Sequence, residues 1–407
     1  MYNSVKSRRQ SIFYRKELIM KFNYFAPTEI IYGSGRVAET GDIAKRFGKK
    51  ALVVTMPRKA YSSPVYDRVF ESLRKSGVAY VHFDGVIPNP TTDTVTEGAD
   101  IAKKESADLV IGLGGGSAID TAKAIAVEAT HEKTAWNYNC HTEGPGKQTL
   151  PIIAIGMTAG TGSQTTPCSV ITKTADKDKS AIWNPNIFPK VAIVDPEITK
   201  TMPPHVTAQT GFDAFCHNFE AYISVNSNPL VEIMALEAIR LIAKYLPRAY
   251  RDGNDTEARE AMAWADTLGG LTNSSAGVTL PHGLGMQIGG HAPHISHGCA
   301  LAILYPQFMR YTWNYSIEKF AAVARIFNPE LKNVSDEDAA KASCGLLDEF
   351  LRDLGLWIEF NDFGVTDADI REIADCGQVL GDYKNNPRVA TIDEMHEILL
   401  ACRTRKE

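Results

Sequence analysis

The chain has 407 residues, 44% of them hydrophobic and 22% charged, the proportions of a soluble globular protein with two domains or one domain carrying an elaborated second half. A formal net charge of −5 offers no basic field to a polyanion, which argues against nucleic acid and anionic membrane as partners. No apolar run reaches membrane-spanning length, and the seven cysteines form no CxxC pair, so they fit a reducing, cytoplasmic setting better than a disulfide framework.

The N-terminal stretch stands apart from the rest. Lys6, Arg8, Arg9, Arg15 and Lys16 face a single acid, Glu17, with no uninterrupted apolar core of the kind a secretory signal needs. Residues 1–19 read as a disordered extension, with a mitochondrial transit peptide as the alternative, and folding sequence starts at Met20.

From residue 20 to 204 short apolar runs alternate with helical patterns. The strand candidates are Glu29–Tyr32, 51–55, Ala79–Phe83, 109–113, 152–155, 169–172 and Val191–Val194. Helical stretches such as 65–76 and 94–105 lie between them, which predicts βαβ units and a largely parallel sheet. After Pro204 the texture changes to long helical periodicities at 211–223, 230–245, 258–268, Ile317–Phe327, 336–354 and 368–379. The expected organisation is an α/β domain over 20–204 and a helical domain over 205–407. The cleft between them is the default ligand site.

Two small-residue loops follow strands in the first half. Residues 109–113 form an apolar run that leads into Gly114, Gly115, Gly116 and Ser117, where a helix starts. Consecutive glycines let backbone amides approach an anion, and the helix N-terminus favours a phosphate. Ser117 is placed to cap that helix, with Asp120 as its capping-box partner. GxGxxG does not fit, since its last position falls on Ser117 or Ile119. The second loop, Thr158-Ala-Gly160-Thr161-Gly162-Ser163, follows the strand at 152–155 and offers hydroxyls and amides to a pyrophosphate or ribose. After the strand at 51–55 no acid is present to take ribose hydroxyls. Arg58 and Lys59 stand there instead, which leans the reading toward NADP over NAD.

The second half carries the metal-ligating residue types. Asp213 and His217 are four residues apart on a helix that opens at Thr210, so they share one face and can hold one cation. His282 and His297 each precede a glycine. One carboxylate with three imidazoles suits Fe(II), with Zn(II) as the alternative.

With these residues in place, the sequence resembles the iron-containing (group III) alcohol dehydrogenases from about residue 25 to 387. The resemblance rests on segments 85–91, 114–123, 158–163 and 191–196 and on Thr210-Gly-Phe-Asp213 with His217, in that order and spacing. It implies an α/β domain with a largely parallel, dehydroquinate-synthase-like sheet plus an all-α C-terminal domain. It also implies a homodimer that passes hydride between NAD(P)(H) and a small primary alcohol, aldehyde or diol. By position it assigns Gly115, Gly116 and Ser117 to the pyrophosphate, and Asn89, Thr158, Thr161, Thr166 and Lys179 to the rest of the cofactor groove. Asp213, His217, His282 and His297 become the metal ligands. Three departures stand out: Met286 occupies the place of a further histidine, Gln164 that of a frequent Glu, and the 282–297 interval is one residue longer. His291 and His294 are the candidates to end a proton relay in place of the missing histidine. A lyase of the dehydroquinate-synthase type is the rival enzyme class. It needs basic residues around a phosphorylated substrate, and residues 274–300 contain no Lys or Arg. A nucleotide sensor without catalysis is the third reading.

Overall fold

The computed structural model describes residues 21–140 and 142–405, so the extension expected over residues 1–19 lies outside the described residues. Strands β1 (Glu29–Tyr32), β2 (Lys50–Val54), β3 (Ala79–Phe83), β4 (Leu109–Gly114) and β5 (Ile152–Gly156) come from the first half. They are followed by β6 (Cys168–Lys173), β7 (Asp178–Trp183) and β8 (Val191–Val194). Six of them form one parallel sheet in the order β1-β8-β5-β4-β2-β3. Helices α1 (Thr40–Ala44), α2 (Ser63–Lys75), α3 (Thr92–Lys104) and α4 (Gly116–Glu128) connect the early strands.

A parallel sheet covered on both faces must be apolar on both, which is why its strands read as continuous hydrophobic runs. In β2, Ala51 and Val53 enter the core on one face while Leu52 and Val54 enter the core on the other. In β4, Leu109, Ile111 and Leu113 take the first face and Val110 the second. Helix α4 lies so close over β4 that a Cβ on Gly112 would come within 2.9 Å of Ile119 Cα.

The run at 169–172, grouped above with the parallel strands, belongs elsewhere. It is part of β6, which pairs antiparallel with β7 as a separate two-stranded ladder. The β7 segment, Asp-Lys-Ser-Ala-Ile-Trp, escaped sequence reading because it has little apolar character before Ala181.

Helical sequence takes over at Pro204. The helices are α5 (Pro204–Ile223), α6 (Pro229–Arg251), α7 (Thr256–Ala276), α8 (Leu280–His291), α9 (His297–Thr312), α10 (Ile317–Phe327), α11 (Asp336–Asp353), α12 (Asp367–Asp375) and α13 (Ile392–Ala401). They share one core, with Phe212, Phe215, Phe219, Tyr305 and Phe308 stacked through its middle. No helix among the described residues is long and apolar enough to cross a membrane. The fold is thus an α/β half with a parallel six-stranded sheet followed by an all-helical half.

Two helix boundaries correct the sequence reading. Helix α5 opens at Pro204, in the first-turn position that suits proline, and not at Thr210. Thr210 lies inside the helix with its hydroxyl on the Val206 carbonyl. Helix α8 showed no clear helical pattern because Gly283, Gly285, Gly289 and Gly290 lower its intrinsic propensity. Tertiary packing requires two of them: a Cβ on Gly290 would sit 2.2 Å from the Lys177 carbonyl oxygen, and one on Gly289 would meet the Lys179 side chain at 2.9 Å.

Candidate active site and metal centre

A cavity of about 320 Å³ opens where the carboxyl ends of β4 and β5, the β6–β7 ladder and helices α5, α8 and α9 meet. That volume lies at the lower end of the range for small-ligand sites, and the carboxyl edge of a parallel sheet is where such sites form.

Helix geometry supplies the first ligands. Asp213, His217 and Glu220 occur at i, i+4 and i+7 of α5, so one buried stripe carries two carboxylates and an imidazole. His282 comes from the first turn of α8, and His297 opens α9 behind the Ser296 cap. Asp213 Oδ1 lies 3.4 Å from His282 Nε2, 3.7 Å from His217 Nδ1 and 3.9 Å from His297 Nε2. The ligand atoms that Asp213, His217 and His282 offer lie within 4.8 Å of one another. Two donors bound tetrahedrally to one zinc ion stand about 3.4 Å apart, so the spacing suits a shared cation.

The hydrogen bonding points the same way. Asp213 Oδ1 and His282 Nε2 are buried and have no hydrogen-bond partner among the described residues. Their other atoms are held from behind. Glu220 Oε1 takes His282 Nδ1–H at 2.7 Å, and the Gly160 carbonyl takes His217 Nδ1–H at 3.1 Å, so each ring turns its Nε2 free. Burial opposes charge on all of these groups. On Asp213 the surrounding histidines overcome it and hold the carboxyl down to about 2, and on His282 the carboxylates of Glu220 and Asp213 hold the imidazole up to about 10. Burial wins at His217 and His297, lowering both. Two neutral imidazoles, an ionised carboxylate and a position that demands positive charge form a donor set that fits a divalent cation.

The nucleotide side is built from the two loops. A Cβ on Gly115 would stand 3.0 Å from Thr158, and one on Gly116 would stand 2.7 Å from Thr161, so glycine is what allows the loops to close on each other. The α4 cap is Gly115, without a side-chain bond, and the capping box expected of Ser117 and Asp120 does not form. Asp120 instead accepts Ser163 Oγ–H at 2.6 Å and Val170 N–H at 3.1 Å, tying the first loop to the second and to β6. The first-turn amides of α4 are therefore left for an anion.

Lys123, wholly buried, donates to the carbonyls of Ser163, Thr166 and Cys168 at 2.7, 3.0 and 2.6 Å. Burial lowers its ammonium to about 8. Lys179 donates to Asn89 Oδ1 at 2.8 Å, and Asn89 Nδ2 donates in turn to the Pro293 carbonyl, which joins β7 to the α8–α9 turn.

Gly116, Ser117, Thr161, Thr166, Asn89, Lys179 and all four expected ligands line the cavity, whereas Gly115 and Thr158 pack against each other behind it. His291 and His294 do not belong with them. His291 Nδ1 bonds the Gln287 carbonyl at the end of α8, and exposed His294 reaches the Phe363 carbonyl, so neither reaches the cavity as a relay end. His291 ends α8 and His294 lies in the turn after it, so nearness in sequence to His297 does not bring them to the cavity lining. Glu220, Lys123 and Asp382 were missed. The i+7 spacing from Asp213 was a usable signal for Glu220, but nothing local to the sequence marks the other two.

Comparison with known proteins agrees with this construction. The model for iron-containing alcohol dehydrogenase matches residues 27–196, and the model for the C-terminal part of the Fe-containing alcohol dehydrogenase family matches residues 207–402. The chain is 40% identical to a choline dehydrogenase of Bacillus subtilis over 345 residues, which cover 83% of this chain and 85% of that one. It is 34% identical to the NAD-dependent methanol dehydrogenase of Bacillus methanolicus over 378 residues, covering 93% and 98% of the two chains. An archaeal halo-thermophilic alcohol dehydrogenase from a Red Sea brine pool superposes with a TM-score of 0.90 at 35% identity, covering 95% of this chain and 100% of the other.

Proposed function

This chain belongs to the iron-containing alcohol dehydrogenase family and is an oxidoreductase of small alcohols, and we propose that its reaction centre is the Asp213, His217, His282 and His297 cluster. The observation that carries this reading is the approach of Asp213 Oδ1 and His282 Nε2 to 3.4 Å with neither atom hydrogen-bonded. These four side chains would hold Fe(II), or Zn(II) in its place. Such an ion, when bound, supplies Lewis-acid polarisation of the alcohol or aldehyde oxygen.

The protein's own part is positioning. The α4 N-terminus and the 158–163 loop would hold the pyrophosphate and ribose of the nicotinamide cofactor, with Gly116, Ser117, Thr161 and Thr166 facing it and Gly115 and Thr158 shaping the loops from behind. Lys179, braced by Asn89, supplies a donor on the opposite wall. The cavity would orient the hydroxyl-bearing carbon toward the nicotinamide, with its mostly apolar walls limiting water around the reacting atoms. NADP(H) is the favoured cofactor, since residues 55–66 after β2 contain no carboxylate and Arg58 and Lys59 stand there. Arg58 is shared with Asp67 at 2.7 Å, which keeps the preference over NAD(H) modest.

The substrate is a short primary alcohol, its aldehyde, or a diol. Choline and methanol, named for the two relatives above, have a primary hydroxyl in common. Seven free cysteines suit a cytoplasmic location. The outer edge of β1 has no partner strand among the described residues, and Phe22 and Phe25, which precede β1 in the chain, are exposed, which suits a homodimer.

The test is nicotinamide absorbance with metal-stripped protein, Fe(II) or Zn(II) added back, and NADPH compared with NADH. Metal-dependent turnover that disappears in Asp213→Ala is the expected result. Unchanged turnover in Asp213→Ala would remove the cluster from the reaction. Cofactor binding without net oxidation or reduction under any metal would favour the lyase or sensor readings.

A further inference from the structure

The cavity wall beyond the metal cluster carries a feature that hydride transfer does not use. Three carboxylates line the cavity: Asp120, Asp213 and Asp382. Asp120 is taken up by Ser163, Val170 and Lys123, and Asp213 by the histidines. Asp382, in the turn at Gly381–Asn385, makes no hydrogen bond or ion pair among the described residues. Its surroundings are poor in water, and burial pushes its carboxyl up to about 6. No cation bonds it directly among the described residues; the positive charge that acts on it is that of His282.

The β6–β7 ladder shows what lies beside it. Cys168 pairs with Trp183, Val170 with Ala181 and Thr172 with Lys179. Because alternate residues share a face, Lys179, Ala181 and Trp183 all reach the cavity from β7. Lys179 and Trp183 are four residues apart, which places them about 13 Å from each other along the strand. The cation of Lys179 therefore serves the Asn89 end, and at the Trp183 end the basic residue is Lys123, whose ammonium is given to the Ser163, Thr166 and Cys168 carbonyls. Asp382 lines the same cavity as Cys168 and Trp183, and a Cβ on Gly283 of α8 would stand 3.6 Å from its own Cβ. It also lies close enough to His282 for the two charges to interact, so the carboxylate stands a short distance beyond the metal cluster.

A carboxylate and an indole around one apolar space form a receptor for an organic cation. We propose that Asp382, with Trp183, selects alcohols that carry a positive charge, quaternary or protonated amine, a few bonds from the hydroxyl. This inference rests on the alcohol dehydrogenase reading of the same cavity and adds to it a substrate class and the residue that recognises it. A neutral alcohol leaves Asp382 without a partner, whereas an amino alcohol places its cation there while its hydroxyl reaches the histidine cluster.

The test uses metal-loaded full-length enzyme and two alcohols of the same shape, choline and the dimethylbutanol in which carbon replaces its nitrogen. The wild type is expected to favour choline in kcat/KM by about tenfold or more, a factor within reach of one poorly solvated ion pair. Asp382→Asn, which keeps shape and removes charge, is expected to bring that ratio down by about tenfold. A wild-type ratio at or below one overturns the inference without any variant, and so does an unchanged ratio in folded Asp382→Asn. In both cases oxidation of the neutral alcohol leaves the dehydrogenase reading standing. Oxidation of neither alcohol, with either nicotinamide cofactor, overturns the reading beneath it as well.

Discussion

Replacing Glu220 by Gln changes one atom and should damage both the fold and the metal centre. In the structure Oε1 accepts His282 Nδ1–H at 2.7 Å and Tyr305 O–H at 3.0 Å, while Oε2 accepts Thr279 N–H at 2.7 Å and its hydroxyl at 3.2 Å. All the space around this carboxylate is taken by donors, and the residue is fully buried. An amide has one oxygen, so its NH2 group must face one of the two donor pairs. If it faces Thr279, a buried backbone N–H loses its acceptor, at a cost of about 1–3 kcal/mol. If it faces His282, the ring must accept through Nδ1 and carry its proton on Nε2, the atom a cation needs. The loss of charge-assisted bonds adds to either outcome, for a total of about 3 kcal/mol in the metal-free protein. Metal affinity should fall about 10- to 100-fold, the usual effect of removing a carboxylate behind a ligating histidine. Urea unfolding of the apoprotein and chelator competition for Zn(II) measure the two effects separately. In Glu220→Gln/His282→Ala the metal-affinity losses should not add, because both act through the same ring. Wild-type metal affinity in stable Glu220→Gln would refute the assignment of Glu220 as the residue that orients His282.

Burial holds the Asp266 carboxyl up to about 7, against its bonds to Gly162 N–H and Gln164 Nε2. A raised carboxyl contributes stability that is complete below the unfolded value of about 4 and is lost as pH rises through about 7, on the order of 4 kcal/mol in all. Asp266→Asn can keep the Gly162 bond and meet a flipped Gln164, so its stability should vary less between pH 5 and pH 8 than that of the wild type (roughly, and read by urea melts). Parallel pH profiles would contradict this. Lys123→Met removes the donor from the Ser163, Thr166 and Cys168 carbonyls and should cost about 3–5 kcal/mol with weakened nucleotide binding. Near-wild-type denaturation midpoints would show that those carbonyls find other donors. In Gly160→Ala the new Cβ would start 2.1 Å from the Thr210 carbonyl oxygen, and the shift needed would move the acceptor of His217. About 1–3 kcal/mol of stability and a measurable part of the Zn(II) affinity should be lost; an unaltered calorimetric titration would exclude that coupling.

Chain-local information determined a great deal here. Continuous apolar runs between amphipathic helices define a buried parallel sheet, because both faces of such a strand must leave water. Three glycines across the junction of β4 and α4 specify a backbone that can close on an anion, and the Asp213–His217 spacing places two ligand types on one helix face. Tertiary structure decided the rest. Only packing of β7 against α8 explains a glycine-rich helix at 280–291, and only the folded chain shows that His291, at the end of α8, and His294, in the turn after it, stay out of the cavity lining while His297 enters it. Ser117 and Asp120 match a capping box in sequence, yet Ser163 and Val170, some 40 to 50 residues later, compete successfully for Asp120. The Asp382 carboxylate is the clearest case, since its lack of a hydrogen-bond partner among the described residues depends on every element around it. Periodicity and spacing encode what lies on one element. Charge compensation in a buried site is a sum over groups distant in sequence, and only the folded chain brings that sum to one place.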